Sequence, residues 1–113
     1  MDMRKELRAA YEAEMEEAKR LYRAGDYDDC LSRLERAHIL GQRNYIPHVV
    51  SHYWMLKAGW RKGDRKEVVG QIVRIAGSAG SLVGAVPLGN TGRANVSPVK
   101  PMPIPDDLAR YFQ

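Results

Sequence analysis

Apolar residues recur every three to four positions through the first two-thirds of the chain, the period of an amphipathic α-helix. Leu7, Tyr11, Met15, Ala18 and Tyr22 alternate with glutamates and arginines, which predicts a helix over residues 3–24. Gly25 ends it, and Asp26 is placed to cap a second helix running to Leu40, with Leu31, Leu34 and His38 on one stripe and Gly41 as its stop. Pro47 suits the first turn of a third helix, from Ile46 to Arg61. Its expected inner stripe is Val49, His52, Tyr53, Leu56 and Trp60. Gly63 and Asp64 repeat the stop-and-cap signal before a fourth helix, from Arg65 to Leu82, whose apolar residues are Val68, Val69, Ile72, Val73, Ile75 and Ala76.

The Gly-Asp signal belongs to an internal repeat. Lys19 to Asp26 aligns with Lys57 to Asp64 at an offset of 38 residues, and Cys30, Leu34 and Ala37 then align with Val68, Ile72 and Ile75. Each unit reads as a helical hairpin, and the first resembles a tetratricopeptide repeat in Ala18, Leu21, the Gly25-Asp26-Tyr27-Asp28 turn, Leu34 and Ala37. It departs from that pattern at Glu14 and Glu17, where large apolar residues are usual. From Val86 the texture changes. Pro87-Leu88-Gly89-Asn90-Thr91-Gly92 and the prolines from Pro98 to Pro105 preclude regular helix, yet Val86, Leu88, Val96, Val99, Met102 and Ile104 are interleaved among them. The expectation is an all-α single domain over 1–113. Four helices form two stacked hairpins (3–85), a Pro/Gly-rich coil (86–113) wraps over a groove, and a short helix over Asp106–Phe112 docks Leu108, Tyr111 and Phe112.

Composition narrows the class. With 113 residues the chain is one domain with a modest core. No apolar run reaches the roughly 20 residues that cross a bilayer. The start, Met1-Asp2-Met3-Arg4-Lys5-Glu6, leads into a charged helix without the apolar stretch of a secretory signal. The single cysteine, Cys30, excludes an internal disulfide and fits a reducing compartment, so the expected location is the cytoplasm. The net charge of +4 is uneven: residues 1–35 hold ten acids and seven bases, and residues 36–113 four acids and eleven bases. Lys57, Arg61, Lys62, Arg65 and Lys66 form a basic cluster. It reads as a solvated helix end more readily than as a nucleic-acid surface.

The chemistry that stands out is histidine. His38, His48 and His52 are the only three in the chain. His48 and His52 are spaced i, i+4 on one side of the third helix, and His38 lies across the preceding turn. Neutral imidazole is a common transition-metal ligand, and three suffice for an open site. The metalloprotease pattern needs a glutamate after the first histidine, where Val49 stands. Glu35 with His38 forms one Glu-x-x-His pair, and a di-iron bundle needs two. Glu14 takes the place of His52 in the repeat, and Met55 lies one turn beyond His52 as a candidate thioether donor. The glycine-rich run Gly77–Gly84 lacks the lysine of a phosphate loop.

Taken together, His38-Ile39-Leu40-Gly41-Gln42, His48-x-x-x-His52 with Met55-Leu56, Pro87-x-Gly-Asn-Thr-Gly with Ala94-Asn95-Val96, and Pro101-Met102-Pro103-Ile104-Pro105 resemble the family catalogued as domain of unknown function 3703. The resemblance covers nearly the whole chain. It implies a small bacterial helical protein in which the histidine segment and the tail belong to one unit, and it implies no activity.

Two functional readings follow. One is a metal- or haem-binding protein using His38, His48 and His52, with Glu14, Glu35 or Met55 completing the shell around zinc, copper, nickel, iron or a haem iron. The other is a non-catalytic interaction module of tetratricopeptide type, holding a protein or peptide partner in its groove or on its basic face. An enzyme with an unfamiliar site under the tail is a third. A homodimer is expected if Tyr53, Trp54 and Trp60 stay uncovered.

Overall fold

The computed structural model describes residues 3–78 and 87–113. Its four main helices are α1 (Lys5–Arg23), α2 (Tyr27–Gly41), α3 (Tyr45–Lys62) and α4 (Arg65–Ala76), followed near the C-terminus by α5 (Asp106–Ala109) and a 3-10 turn (Arg110–Phe112). No strand occurs among the described residues. The fold class is all-α. Each main helix packs against the next in sequence, giving two hairpins, α1–α2 and α3–α4.

Both glycines of the Gly-Asp signals act where the repeat puts them, but only the second aspartate caps its helix through its side chain: Asp26 makes no such bond at the start of α2. Gly63 adopts φ +80°, a left-handed conformation that lets the chain leave α3 and turn back as α4, and Gly25 does the same after α1 at φ +79°. The Asp64 carboxylate accepts from the Glu67 backbone N–H at 3.0 Å, closing the first turn of α4. α1 also leans on α3. The Tyr11 hydroxyl donates to the Pro47 carbonyl at 3.1 Å, and Tyr22 meets Trp54 edge to face at 5.4 Å.

The core lies on the expected faces of α1 and α2: Tyr11, Met15, Ala18, Cys30, Leu31, Leu34 and Ala37, joined by Met55 and Ala58 of α3 and Leu108 of α5. Two expectations need correction. α3 buries Ser51, His52, Met55, Ala58 and Gly59, whereas Tyr53 and Trp60 face solvent. α4 ends at Ala76 rather than at Leu82, which lies outside the described residues. Its inner face is polar, since Glu67 and Gln71 are buried while Val69, Ile72 and Val73 are more than half exposed. The inward positions of α4 are thus 67, 71 and 74, one residue earlier than the repeat alignment with Cys30, Leu34 and Ala37 predicts. The physical reason is the partner face: Gln71 accepts from the His52 imidazole of α3, and Glu67 accepts from Gln71 and Arg93, bonds that valine cannot make.

Residues 87–105 contain turns and no regular element. The Gln42 side chain donates to the Pro87 carbonyl and accepts from Gly89 N–H, and Asn90 Nδ2 donates to the carbonyls of Ser97 and Lys100, both at 2.7 Å. At the other end Arg36 bridges Glu14 and Asp107, and Arg4 donates to the Tyr111 carbonyl.

Truncating Leu34 to alanine is expected to cost roughly 2–5 kcal/mol in urea unfolding, because the side chain is fully buried. Ile72→Ser, an apolar residue of the same protein turned to solvent, is expected to change stability by less than about 0.5 kcal/mol.

Candidate metal centre

The i, i+4 spacing on α3 puts His48 and His52 on one side of that helix, and the antiparallel return of α2 brings His38 opposite them. The His38 and His52 Nε2 atoms are 3.1 Å apart, and so are those of His52 and His48. One ligand atom from each of the three lies within 4.8 Å of the other two. His38 and His52 are almost wholly buried and His48 is half-buried. The three ring centroids stand 4.6–4.9 Å from one another.

The remaining ring nitrogens decide what this convergence means. His38 Nδ1 lies 2.8 Å from the Asn90 carbonyl, which can only accept, so Nδ1 carries the proton. His52 Nδ1 lies 2.6 Å from Gln71 Oε1. The orientation of that amide follows from its other end, where Nε2 donates to Glu67 Oε2 at 2.6 Å and to the Gly92 carbonyl at 2.8 Å. His52 Nδ1 is therefore protonated too. Both Nε2 atoms are left unprotonated, facing each other. His48 Nδ1 is buried without a partner, and its one proton is best used on Nε2 toward His52. No neutral arrangement of protons bridges His38 Nε2 to His52 Nε2.

Behind Gln71 runs a chain of charge. Glu67 Oε1 accepts from Arg93 Nε at 2.8 Å, and Arg93 Nη1 donates to Glu35 at 2.8 Å. The tail segment Asn90–Arg93 thus supplies a carbonyl to His38, a carbonyl to Gln71 and a cation to Glu67. Gly92 is essential to this approach. It sits at φ +81° with its backbone against the His38 ring, where an added Cβ would come within 2.7 Å of the imidazole.

Of the other residues expected at the site, Glu14 is not brought to the histidines. It accepts from Arg33 at 3.0 Å and Arg36 at 2.9 Å in the first hairpin. Glu35 is spent on Arg93, with Arg93, Glu67 and Gln71 standing between it and His52. Met55 Sδ is buried in the core, 3.3 Å from Gln71 Nε2. Cys30 is fully buried, and burial pushes its thiol up to about 11, which keeps it from acting as a thiolate. Gln71, Glu67, Asn90, Gly92 and Arg93 were not singled out as site residues from the sequence. The hint in the sequence was the Pro87-x-Gly-Asn-Thr-Gly pattern, which contains Asn90 and Gly92.

Burial also holds the imidazoles neutral. It pushes His52 down to about 4 and His38 well below the ordinary histidine range, with the neighbouring imidazoles adding to the shift, and it lowers His48. Neutral imidazole is the form that ligates metal.

The chain is thus a helical domain with a buried three-histidine cluster. Residues 5–112 match the family described as a protein of unknown function, DUF3703, and the chain belongs to that family. No curated protein and no solved structure matches it. No described helix is long and apolar enough to cross a membrane.

Two outcomes follow. The histidines titrate near 6.5 when unfolded and lower when folded, so the unfolded chain binds more protons between those values. Stability of the metal-free protein is expected to be full above about pH 6.5 and to fall progressively as the pH drops toward 4, read from urea midpoints. Gly92→Ala is expected to cost roughly 1–3 kcal/mol in the same assay, from the left-handed backbone and displacement of the His38 ring.

Proposed function

We propose that this protein binds one transition-metal ion between His38, His48 and His52 and serves to store, sense or carry it. The observation that carries this reading is the pair of Nε2 lone pairs, 3.1 Å apart, whose tautomers are pinned by Asn90 and Gln71. An unprotonated pair at that distance is repulsive unless a cation lies between them. Imidazole nitrogens about 2.0–2.1 Å from a tetrahedral ion stand about 3.3 Å from one another, close to the 3.1 Å of the His38–His52 and His52–His48 pairs. Hydrogen-bonded Nδ1 atoms on two of three ligands are the usual outer support of such a centre. A haem does not fit between the rings, because 4.6 Å between the His38 and His52 centroids leaves no room for a macrocycle. The reading is binding rather than catalysis, since the nearest carboxylates, Glu67 and Glu35, are committed to Arg93.

The tail coil then acts as the closure of the site, its Asn90 and Gly92 carbonyls completing the shell around His38 and Gln71. The alternative, a module that captures an anionic partner on the basic cluster, has less support. Lys62 is paired with Asp28, Lys57 lies 4.0 Å over the Trp54 ring, and Arg61 lies over Tyr22 and Tyr27.

With free zinc, copper, nickel or iron at about a hundred times its Kd, the melting temperature of the metal-free protein is expected to rise by roughly 10 °C. His48→Ala, which removes the half-buried ligand, is expected to abolish that rise. If none of these ions raises the melting temperature of the wild type, the proposal fails.

A further inference from the structure

Resting on the metal site just proposed, we infer that the centre is built for a monovalent d10 ion, Cu(I), in preference to a divalent ion. The cost of burying an ion grows with the square of its charge, so a dry site pays far more for a dication unless it offers anionic ligands. This site offers none. Its ligand group is three imidazoles, with no carboxylate or thiolate among the described residues.

The groups behind the ligands are neutral as well. His38 is backed by a peptide carbonyl and His52 by an amide, where a carboxylate would have lent charge. The nearest acid, Glu67, is one residue further out and cancelled by Arg93, which also binds Glu35. Arg74 tilts the balance further. Its guanidinium donates to the Gly70 and Val96 carbonyls, makes no ion pair among the described residues, and disfavours positive charge on His38 and His52. Counted together, Glu67, Arg93, Glu35 and Arg74 sum to zero, so the ion's charge is left uncompensated. One positive charge spread over three nitrogens is tolerable there. Two would call for an anion drawn in from solvent at the fourth position. Cu(I) is also satisfied by three donors, whereas zinc takes four.

The test is a pair of competition titrations on the full-length metal-free protein. Cu(I) is titrated anaerobically with ascorbate against bicinchoninate, and Zn(II) against a chromogenic zinc chelator. The expected result is one Cu(I) per chain, held at least about a thousandfold more tightly than Zn(II). His48→Glu exchanges one neutral donor for an anionic one at the half-buried position. It is expected to raise zinc affinity about tenfold or more and to weaken Cu(I). Zinc bound as tightly as Cu(I) by the wild type, or a His48→Glu variant with unchanged preference, would overturn the charge argument and leave the three-histidine site standing. Failure of the wild type to bind either ion would overturn the site itself.

Discussion

The structure depends on one amide. Gln71 accepts a hydrogen bond from His52 Nδ1–H, and its own N–H groups go to Glu67 and to the Gly92 carbonyl. It is fully buried, so each of these bonds replaces water that cannot reach it. Through them α3, α4 and the tail are locked to one another by polar contacts that tolerate little displacement. A helix interface of leucines can slide by a fraction of an ångström, and a buried amide with its donors and acceptor engaged cannot do so without leaving a group unpaired. The imidazole tautomers, the position of Arg93 and the approach of Gly92 to His38 all follow from how that amide is held.

The internal repeat shows how one geometry was put to two uses. The 38-residue offset carries Glu14 to His52 and Arg33 to Gln71. In the first hairpin the pair is an ion pair at 3.0 Å, partly open to solvent and extended to Arg36. In the second it is an imidazole and an amide at 2.6 Å, buried beneath the tail. A charged pair is inexpensive at a wet surface and costly in a dry interior. The substitution to neutral partners therefore goes with the covering of that position by residues 90–93. It also explains why α4 turns its valines outward: the face that meets α3 had to be polar.

The cations that dominate the second half of the sequence are largely occupied within the molecule. Arg93 joins the buried Glu67 to the partly exposed Glu35, Arg36 links α2 to α1 and α5, and Lys57 packs over aromatic rings at the junction of α1 and α3. The uneven charge of the chain is in good part an account of how its acidic first helices and its tail are held in place.

Local signals in the sequence determined the helices. The 3.6-residue period, the two Gly-Asp turns, Pro47 at the start of α3 and the short helix after Pro105 are read within a few residues of where they act, and the structure follows them. The i, i+4 histidines were likewise bound to share a face once α3 was a helix. What tertiary structure alone decided is everything that makes those histidines a centre. The ends of α4 and the rotation of its polar side inward depend on what α3 presents. The protonation of His38 depends on a carbonyl 52 residues along the chain. That carbonyl is a backbone atom carried by a turn, and backbone atoms have no signature in a sequence. Nor could Glu14, Glu35 and Met55 be sorted from Gln71 and Glu67 as neighbours of the site, because a carboxylate or an amide on a helix looks the same in sequence whether it faces water, an arginine or an imidazole. Only packing assigns the partner.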